Sequence, residues 1–596
     1  MCGIAGYVSN KNNSSYILKK IVKELNHRGP DNNDVIISKG VGLGHTRLSI
    51  IDLNNESNQP FNSNDNRYSI VYNGEIYNYR PLRNELVSKG YEFRTNSDTE
   101  VVLNGFIEFG EGVCSKLNGM FAFAIYDHQD DAIFISRDRF GIKPLFYFHE
   151  DDDFWFCSEM RPLDNHITQE KNTEAAILML LLGSIPSDLT INTHIKKLRS
   201  GHYGWLKNGN MDIKKYSDIT YSPKKRESTK DIISNVYTLT TDAIKNSLIS
   251  DAPIGTFLSG GLDSSIITAV SSKYLTKIKT ISVTFDDKKY SEGYYQKLIV
   301  NRYKTEHYEY HVTKAVFQNE FLNYLNVVDQ PNMDGFNTYL ASNVAKEAGL
   351  KSVLAGQGAD ELFYGYETFL RAKKIRERRL PVFGVFFLKK LKELLYNKYS
   401  FKDIGIYFSN MDLSLYLPHK QIFSPIEISN ILNVNINTVI LIIINKFVYL
   451  DTKGILDYDD KVSYYEFKLY LESQLLAKDD AASMSHSLEV RIPFLDNDLV
   501  DYVTKLPSRY KYKKGTPKAL LAKAFENDIP SEIIHRNKAG FGIPYGIWLK
   551  DIIYDLEFEH DIYINMFLNK RIGWTKLLTL VMLKKFHPTI ELSGKI

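Results

Sequence analysis

Apolar and polar positions along the chain change their rhythm near residue 206. Up to that point runs such as YSIVYNG, MFAFAIYD, AIFISRD and DFWFCS alternate or are apolar throughout, and turn clusters such as NNESNQP, NSNDN and HEDDD separate them. That spacing predicts a strand-rich domain over 1–206. The stretch 207–231 carries charge, proline and serine without a sustained apolar period and is expected to be a linker. Over 232–596 helical spacing is interrupted by compact apolar strands. IGTFLSGG and IKTISVTFDD read as strands, DSSIITAVSSKYL as the helix between them, and KSVLAGQGADE as a strand running into a turn. Strand, helix, strand at this spacing predicts a parallel α/β core. The segment 380–460 reads as helical and lysine-rich with no chemical motif. Within it NTVILIIINKFVYL is cut by Asn445 and Lys446 before it could span a bilayer, and it is expected to be a buried helix or strand.

A chain of 596 residues exceeds what one hydrophobic core organises, so at least two domains are expected. With 43% hydrophobic and 24% charged residues the chain reads as globular, and 74 basic against 71 acidic side chains leave a net charge of +3. No long basic run is present, which argues against nucleic acid and membrane surfaces as partners. Cys2, Cys114 and Cys157 have no metal-like spacing, so a reducing, cytoplasmic setting is expected. The first residues show no basic segment followed by an apolar stretch, so no secretory signal is expected there.

Cys2 stands directly behind the initiator methionine. Removal of Met1 would leave a thiol beside a free α-amino group, whose ordinary pKa of about 7.7 to 8.0 lets it accept the thiol proton. YNGEIYN supplies oxyanion donors, the Asn73 side-chain amide and the Gly74 backbone N–H. Arg47 in GHTRLS could clamp a substrate α-carboxylate with two parallel bonds, and Glu75 and Asp98 could hold its ammonium group. Taken singly, each has an ordinary explanation: Asn73 and Gly74 as a hairpin turn, Asp98 as a helix cap, Arg47 as a surface residue, Cys2 as a packed strand residue. In the second half FLSGGLDSS follows a strand and enters a helix. Gly260, Gly261 and the hydroxyls of Ser259, Ser264 and Ser265 therefore make an anion cradle, and no GK[ST] follows as in the usual P-loop.

In order along the first half, MCGIAGYV, HRGPD, GHTRLSIIDL, QPF, YNGEIYNY, SDTEVVL, LNGMFAFAIYD and SRDRFGIKPLFY resemble glutamine amidotransferases of the N-terminal-nucleophile type. FLSGGLDSS resembles the pyrophosphate loop of enzymes that split ATP between its α and β phosphates. AGQGADELFYGY, DDAASMSHSLEVRIPFLDNDLVDY, GTPKALLAKAF and RNKAGFGIPYGIWL continue the match, and together these motifs resemble class B glutamine-hydrolysing asparagine synthetases. The region 380–460 lies outside the match.

The resemblance implies two domains, an N-terminal Ntn-hydrolase-like αββα sandwich and a C-terminal parallel-sheet α/β ATP-pyrophosphatase-like domain with extra helices. It implies Cys2 as nucleophile, with Arg47, Asn73, Gly74, Glu75 and Asp98 binding glutamine and His27 positioning the pocket. It implies Leu258, Val283, Ala355 and Gly356 around the adenylate, Asp263 and Asp360 as magnesium partners, and Lys518 stabilising phosphate charge. Glutamine, ATP with Mg2+ and a carboxylate acceptor are the implied partners, with aspartate as first choice of acceptor and a homodimer allowed. Ammonia freed at Cys2 would pass through an internal tunnel, whose apolar wall disfavours ammonium by desolvation.

Two departures bear on the acceptor. Several aspartate-specific members carry a glutamate that takes a proton from the attacking ammonia; this chain has Gln357, and a neutral amide cannot be that base. DQPNMDGFNTYLAS from Asp329 looks more like a subgroup associated with cell-surface polysaccharide formation, where a sugar uronic acid is the carboxylate amidated. A glutaminase-only protein would be expected to lose Asp263, Asp360 or Lys518, and a purine-pathway transferase would carry a different domain in place of SGGLDSS; neither fits.

Overall fold

The structure is a computed structural model that describes residues 2–38, 40–221, 227–286, 290–370, 413, 416–513, 516–536, 542–556, 558 and 561–596. Residues 380–412 and 414–415 of the helical segment predicted over 380–460, and 515 and 537–541 of the last two motifs, lie outside the described residues.

The first half folds as two packed antiparallel sheets. One sheet runs Ile195–Lys197, Phe146–Glu150, Asp153–Cys157, Gly3–Val8, Val41–Arg47, Asn32–Ser38; the other runs Asn210–Lys215, His202–Lys207, Ala132–Arg137, Gly119–Asp127, Tyr68–Ile76, Phe61–Asn62. Alternation explains the sandwich. One face of each strand buries Ile4, Leu43, Val71, Ala124, Ile135 and Phe156 between the sheets. The opposite face of the second sheet meets helices Tyr79–Ser88 and Asp98–Phe109 through Tyr72, Phe123, Leu86 and Val102. Helix Ser14–Glu24 covers the outside of the first sheet. The layers are therefore α, β, β, α, as the motifs imply.

Strand Asn210–Lys215 lies within the stretch expected to be a linker, where it pairs with His202–Lys207. Its pattern is exposed almost throughout, NMDIKK, so an edge strand held by backbone bonds left no apolar signal to read.

The second half is built on five parallel strands in the order Glu306–Val312, Lys279–Phe285, Ile254–Phe257, Ser352–Leu354, Glu489–Arg491. The chain adds strands outward on one side of Ile254–Phe257, then reverses and adds Ser352–Leu354 on the other. In open α/β sheets a ligand crevice forms beyond the carboxyl ends of the strands at such a reversal. The residues that leave those two strand ends are FLSGG and AGQG.

One helix of the first half belongs to the second half's core. Thr173–Leu182, TEAAILMLLL, is buried from Ala175 to Leu182 and packs against helices Pro425–Leu432, Ile436–Lys446 and Trp574–Phe586. A helix that is apolar all round has to be covered all round. Ile436–Lys446, expected to be buried, is amphipathic instead: Val439, Ile440 and Ile443 are buried and Leu441 is exposed. Among the described residues no helix is long and apolar enough to cross a membrane, and the three cysteines are buried and unbridged.

The halves are also tied by a cap supplied across the boundary. The buried Asp329 carboxylate accepts the backbone N–H groups of Met160 and Arg161, at 2.8 and 2.9 Å, in the first turn of helix Met160–His166. Asp329→Ala leaves those donors buried and unmet, so a loss of about 1–3 kcal/mol is expected, measured as an earlier transition in denaturant unfolding.

Candidate functional site

Cys2 heads the central strand of the first sheet and Asn73 sits in strand Tyr68–Ile76 of the second, so the two meet at the seam of the sandwich. The Cys2 backbone N–H donates to Asn73 Oδ1 at 3.0 Å. With that end of the amide engaged, Asn73 Nδ2 is buried without a hydrogen-bond partner among the described residues. A fixed, unengaged donor on the side chain that holds the Cys2 backbone is what a developing oxyanion requires. Packing requires glycine at 74, because a Cβ there would lie 2.2 Å from the Met120 carbonyl oxygen of the neighbouring strand. Burial pushes the Cys2 thiol up, while the Leu48 backbone N–H and the Arg47 charge pull it down.

Arg47 is held by its own loop. Nη1 donates to the Asn54 carbonyl at 2.8 Å and to Asn58 Oδ1 at 2.7 Å, and Nη2 donates to the Asp52 carbonyl. By count the Nε–H and one Nη2–H remain, the side-on fork that takes a carboxylate with two parallel bonds. Asp98 accepts from the Tyr72 hydroxyl at 2.8 Å and from the Ile76 N–H at 3.1 Å, and burial raises its carboxyl to about 6.

Glu75 reaches across to the second half, with Arg491 Nη2 at 3.2 Å. Arg491 Nε also holds Glu489 at 2.6 Å, and all three side chains are buried. One guanidinium balances one carboxylate. Glu489 is held below the usual range, and burial drives Glu75 well above it. A ligand ammonium arriving at Glu75 would supply the missing positive charge.

At the sheet reversal a cavity of about 300 Å3 is lined by Leu258, Ser259, Asp263, Ser264, Val283, Ala355, Gly356 and Asp360 of the predicted set. Gly260, at φ +77°, makes the turn into helix Leu262–Tyr274, where a Cβ would meet Tyr295 at 2.9 Å. Gly261 is the residue before that helix, and Ser265 lies buried in its first turn. A Cβ on Gly356 would sit 2.9 Å from that of Asp263, so the absent side chain lets the two loops close on each other. Lys518 Nζ lies 2.5 Å from Asp263 and 2.9 Å from Asp360. Burial works against its charge, and the two carboxylates outweigh it and raise the ammonium pKa.

Among the described residues no group of three or more His, Cys, Asp or Glu could hold a metal ion alone. Two carboxylates facing hydroxyls and backbone amides do fit Mg2+, a hard cation that is bound through one or two carboxylates plus substrate phosphates.

Sequence reasoning placed both sites without what joins them. Arg28, fully buried, donates from Nε to the Cys2 carbonyl at 3.2 Å, from Nη1 to Glu159 at 2.9 Å and from Nη2 to Asp480 at 2.8 Å. His27 faces the same Glu159 at 2.8 Å and the Glu24 carbonyl at 2.9 Å, a positioning arrangement. Arg491 lay within the quoted EVRIPFLD, but its pairing with Glu75 spans more than four hundred residues and leaves no local signal.

A model of the glutamine amidotransferase domain matches residues 1–217, and a model of asparagine synthase matches residues 235–561. The chain is 32% identical over 575 residues to glutamine-hydrolysing asparagine synthetase 1 of Bacillus subtilis, covering 92% of this chain and 88% of the relative. It is 34% identical over 414 residues to putative glutamine-hydrolysing asparagine synthetase 2 of Methanocaldococcus jannaschii, covering 64% and 79%. It is 31% identical over 406 residues to asparagine synthetase B of Escherichia coli, covering 63% and 67%.

Because Gly74 lies against a backbone carbonyl, Gly74→Ala is expected to part the strands on either side of Asn73 and to cost about 1–3 kcal/mol. Thermal unfolding checks the loss, and hydrogen exchange at Asn73 and Phe121 checks where it falls.

Proposed function

We propose, for a chain that belongs to the asparagine synthase family, that it is a glutamine-dependent asparagine synthetase in which Cys2 frees ammonia and the second-half cavity activates the aspartate side-chain carboxylate. At the coarser level it is an ATP-dependent, glutamine-hydrolysing ligase that amidates a carboxylate. The observation that carries the reading is the pairing, within one chain, of the Cys2–Asn73 constellation with the Asp263–Lys518–Asp360 triangle, with Arg28 touching the first and, through Asp480, the half that carries the second.

In this reading Met1 is removed and the Cys2 amine takes the thiol proton as sulfur attacks the glutamine side-chain amide. The oxyanion forms against Asn73 Nδ2 and the Gly74 N–H. Arg47 holds the α-carboxylate, while Asp98 and Glu75 hold the ammonium. The thioester then yields glutamate to water. In the second cavity Ser259, Gly260, Gly261, Ser264 and Ser265 cradle the phosphates, and Leu258, Val283, Ala355 and Gly356 flank the adenylate. Asp263 and Asp360 would hold Mg2+, which when bound neutralises phosphate charge. Lys518, freed from the two acids, would follow the negative charge to the α-phosphoryl group as the acceptor carboxylate attacks. Pyrophosphate leaves, and ammonia then displaces AMP.

A second acceptor follows from Gln357, whose amide faces Asp479 where aspartate-specific relatives carry an acid: a sugar uronic acid, amidated by the same two-site chemistry.

Cys2→Ala is expected to abolish glutamine-dependent synthesis and to spare synthesis from ammonium salts; loss of both would defeat the two-site reading. Carboxylate-dependent ATP–pyrophosphate exchange across aspartate and uronic-acid sugar nucleotides assigns the acceptor, and exchange with a sugar acid alone would replace aspartate. Because Asp98 titrates near pH 6, its negative charge is present above that value and lost below it. The kcat/KM for glutamine is therefore expected to fall roughly ten-fold between pH 7 and pH 5, followed as glutamate release.

A further inference from the structure

Arg536 opens the motif RNKAGFGIPYGIWL and has no part in the chemistry above. Its side chain is 9% exposed and joins two elements. Nη1 donates to the Gly260 carbonyl at 3.2 Å, and Nη2 donates to Glu292, itself 8% exposed at the side chain. The guanidinium carbon lies 4.5 Å from the centre of the Tyr295 ring. Glu292 directly precedes helix Gly293–Tyr303, and Tyr295 stands in its first turn. An arginine held at once by a carboxylate and a ring face has little freedom left. What this anchored fork holds is a backbone carbonyl of the loop read as the pyrophosphate cradle.

That carbonyl decides which way the loop's donors face. A peptide bond is planar and trans, so a carbonyl oxygen and the N–H of the next residue point in opposite directions. With the Gly260 oxygen turned to Arg536, the Gly261 N–H points away from it and donates at 3.3 Å to Ser259 Oγ, on the wall of the second cavity. Both residues flanking this peptide are glycine, Gly260 at φ +77° and Gly261 at φ −77°. Turning the plane over carries Gly261 to positive φ, which glycine accepts at little cost, and sets a carbonyl oxygen where the cavity takes phosphate. The glycines that shape the loop therefore leave it two states, and the bond from Arg536 favours one.

We propose that Arg536 is a positioning residue of the pyrophosphate loop: anchored by Glu292 and Tyr295, it holds the Gly260 carbonyl outward so that the Gly261 N–H is presented to the β and γ phosphates of ATP. This rests on the two-site reading above, which assigns the loop to phosphate. The guanidinium touches the back of the loop and forms no bond to the ligand. Its effect therefore falls on the phosphate chain and not on the adenylate, whose wall is Leu258, Val283, Ala355 and Gly356. Pairing with Glu292 balances its charge, so what Arg536 supplies to the loop is direction.

The test uses the full-length protein, with the magnesium complex of α,β-methylene-ATP and AMP as separate probes in calorimetric titration. Arg536→Met removes the donors and is expected to raise the Kd for the ATP analogue roughly ten-fold, with the Kd for AMP unchanged. Arg536→Lys, which can still donate to the carbonyl, should recover most of the affinity. Because Arg536→Met leaves the Glu292 carboxylate without its cation, the double variant Arg536→Met/Glu292→Gln is measured beside it and is expected to show the same split. Hydrogen exchange of segment 257–265 in the unliganded protein reads the loop directly. It should be faster in Arg536→Met and slowed again in Arg536→Met/Gly261→Ala, since alanine resists the positive φ of the turned plane and its Cβ meets only Ser259 Oγ, at 3.4 Å. An unchanged Kd for the analogue in both Met variants would overturn the proposal. So would equal weakening of the analogue and AMP, which is what a general loosening of the cavity produces. If the unsubstituted protein does not bind the ATP analogue, the two-site reading itself falls, and this inference with it.

Discussion

The buried guanidinium of Arg28 is the contact on which the arrangement depends. It touches the carbonyl of Cys2, a carboxylate of its own half in Glu159 and a carboxylate of the other half in Asp480. Burying an arginine is expensive unless hydrogen bonds and charge are both supplied, and here two acids supply them. Removing either acid would leave an uncompensated charge, so the three groups hold one another to one geometry. The first residue of the sandwich is thus fixed relative to helix Ala477–Met484 of the other half. Arg491 repeats the device from the opposite direction, a second-half arginine inserted beside Glu75.

Such buried ion pairs contribute little net stability, because desolvation consumes much of the Coulomb energy. Their effect is on specificity of docking. Apolar packing along helix Thr173–Leu182 can tolerate a shift between the halves, whereas a guanidinium shared by two carboxylates cannot. Packing supplies affinity between the halves, and the arginines supply register. Asp329, capping a helix of the other half, adds a directional tie that neither term provides.

Much of the fold was legible because each layer repeats a period. The sandwich strands alternate, and three of the five parallel strands, Ile254–Phe257, Lys279–Phe285 and Ser352–Leu354, are short apolar runs, whereas Glu306–Val312 (EHYEYHV) and Glu489–Arg491 (EVR) carry charges and have no apolar signature. Strand Asn210–Lys215 was not legible, since an exposed edge strand has no apolar face to betray it. At the sites, the chemistry-bearing residues stand in short motifs, and the structure brings Cys2 to Asn73 and Lys518 to Asp263 and Asp360. What the sequence hid is pairwise and long-range. Glu75 reads as a group for a substrate ammonium with no sign of Arg491, and Gln357 reads as a lost base with no sign of Asp479. No periodicity encodes a partner several hundred positions away.

Helix Thr173–Leu182 also sets an order of events at the ribosome. Its covering helix Trp574–Phe586 is synthesised about 400 residues later, which at typical elongation rates is a delay of roughly 20 to 80 s. Until Pro425–Leu432 and Ile436–Lys446 emerge the helix has none of its covers, and until Trp574–Phe586 follows one side of it stays uncovered. The nascent chain therefore has to be shielded while it waits, and helix Trp574–Phe586 acts as the closing clasp on a domain whose strands were made long before.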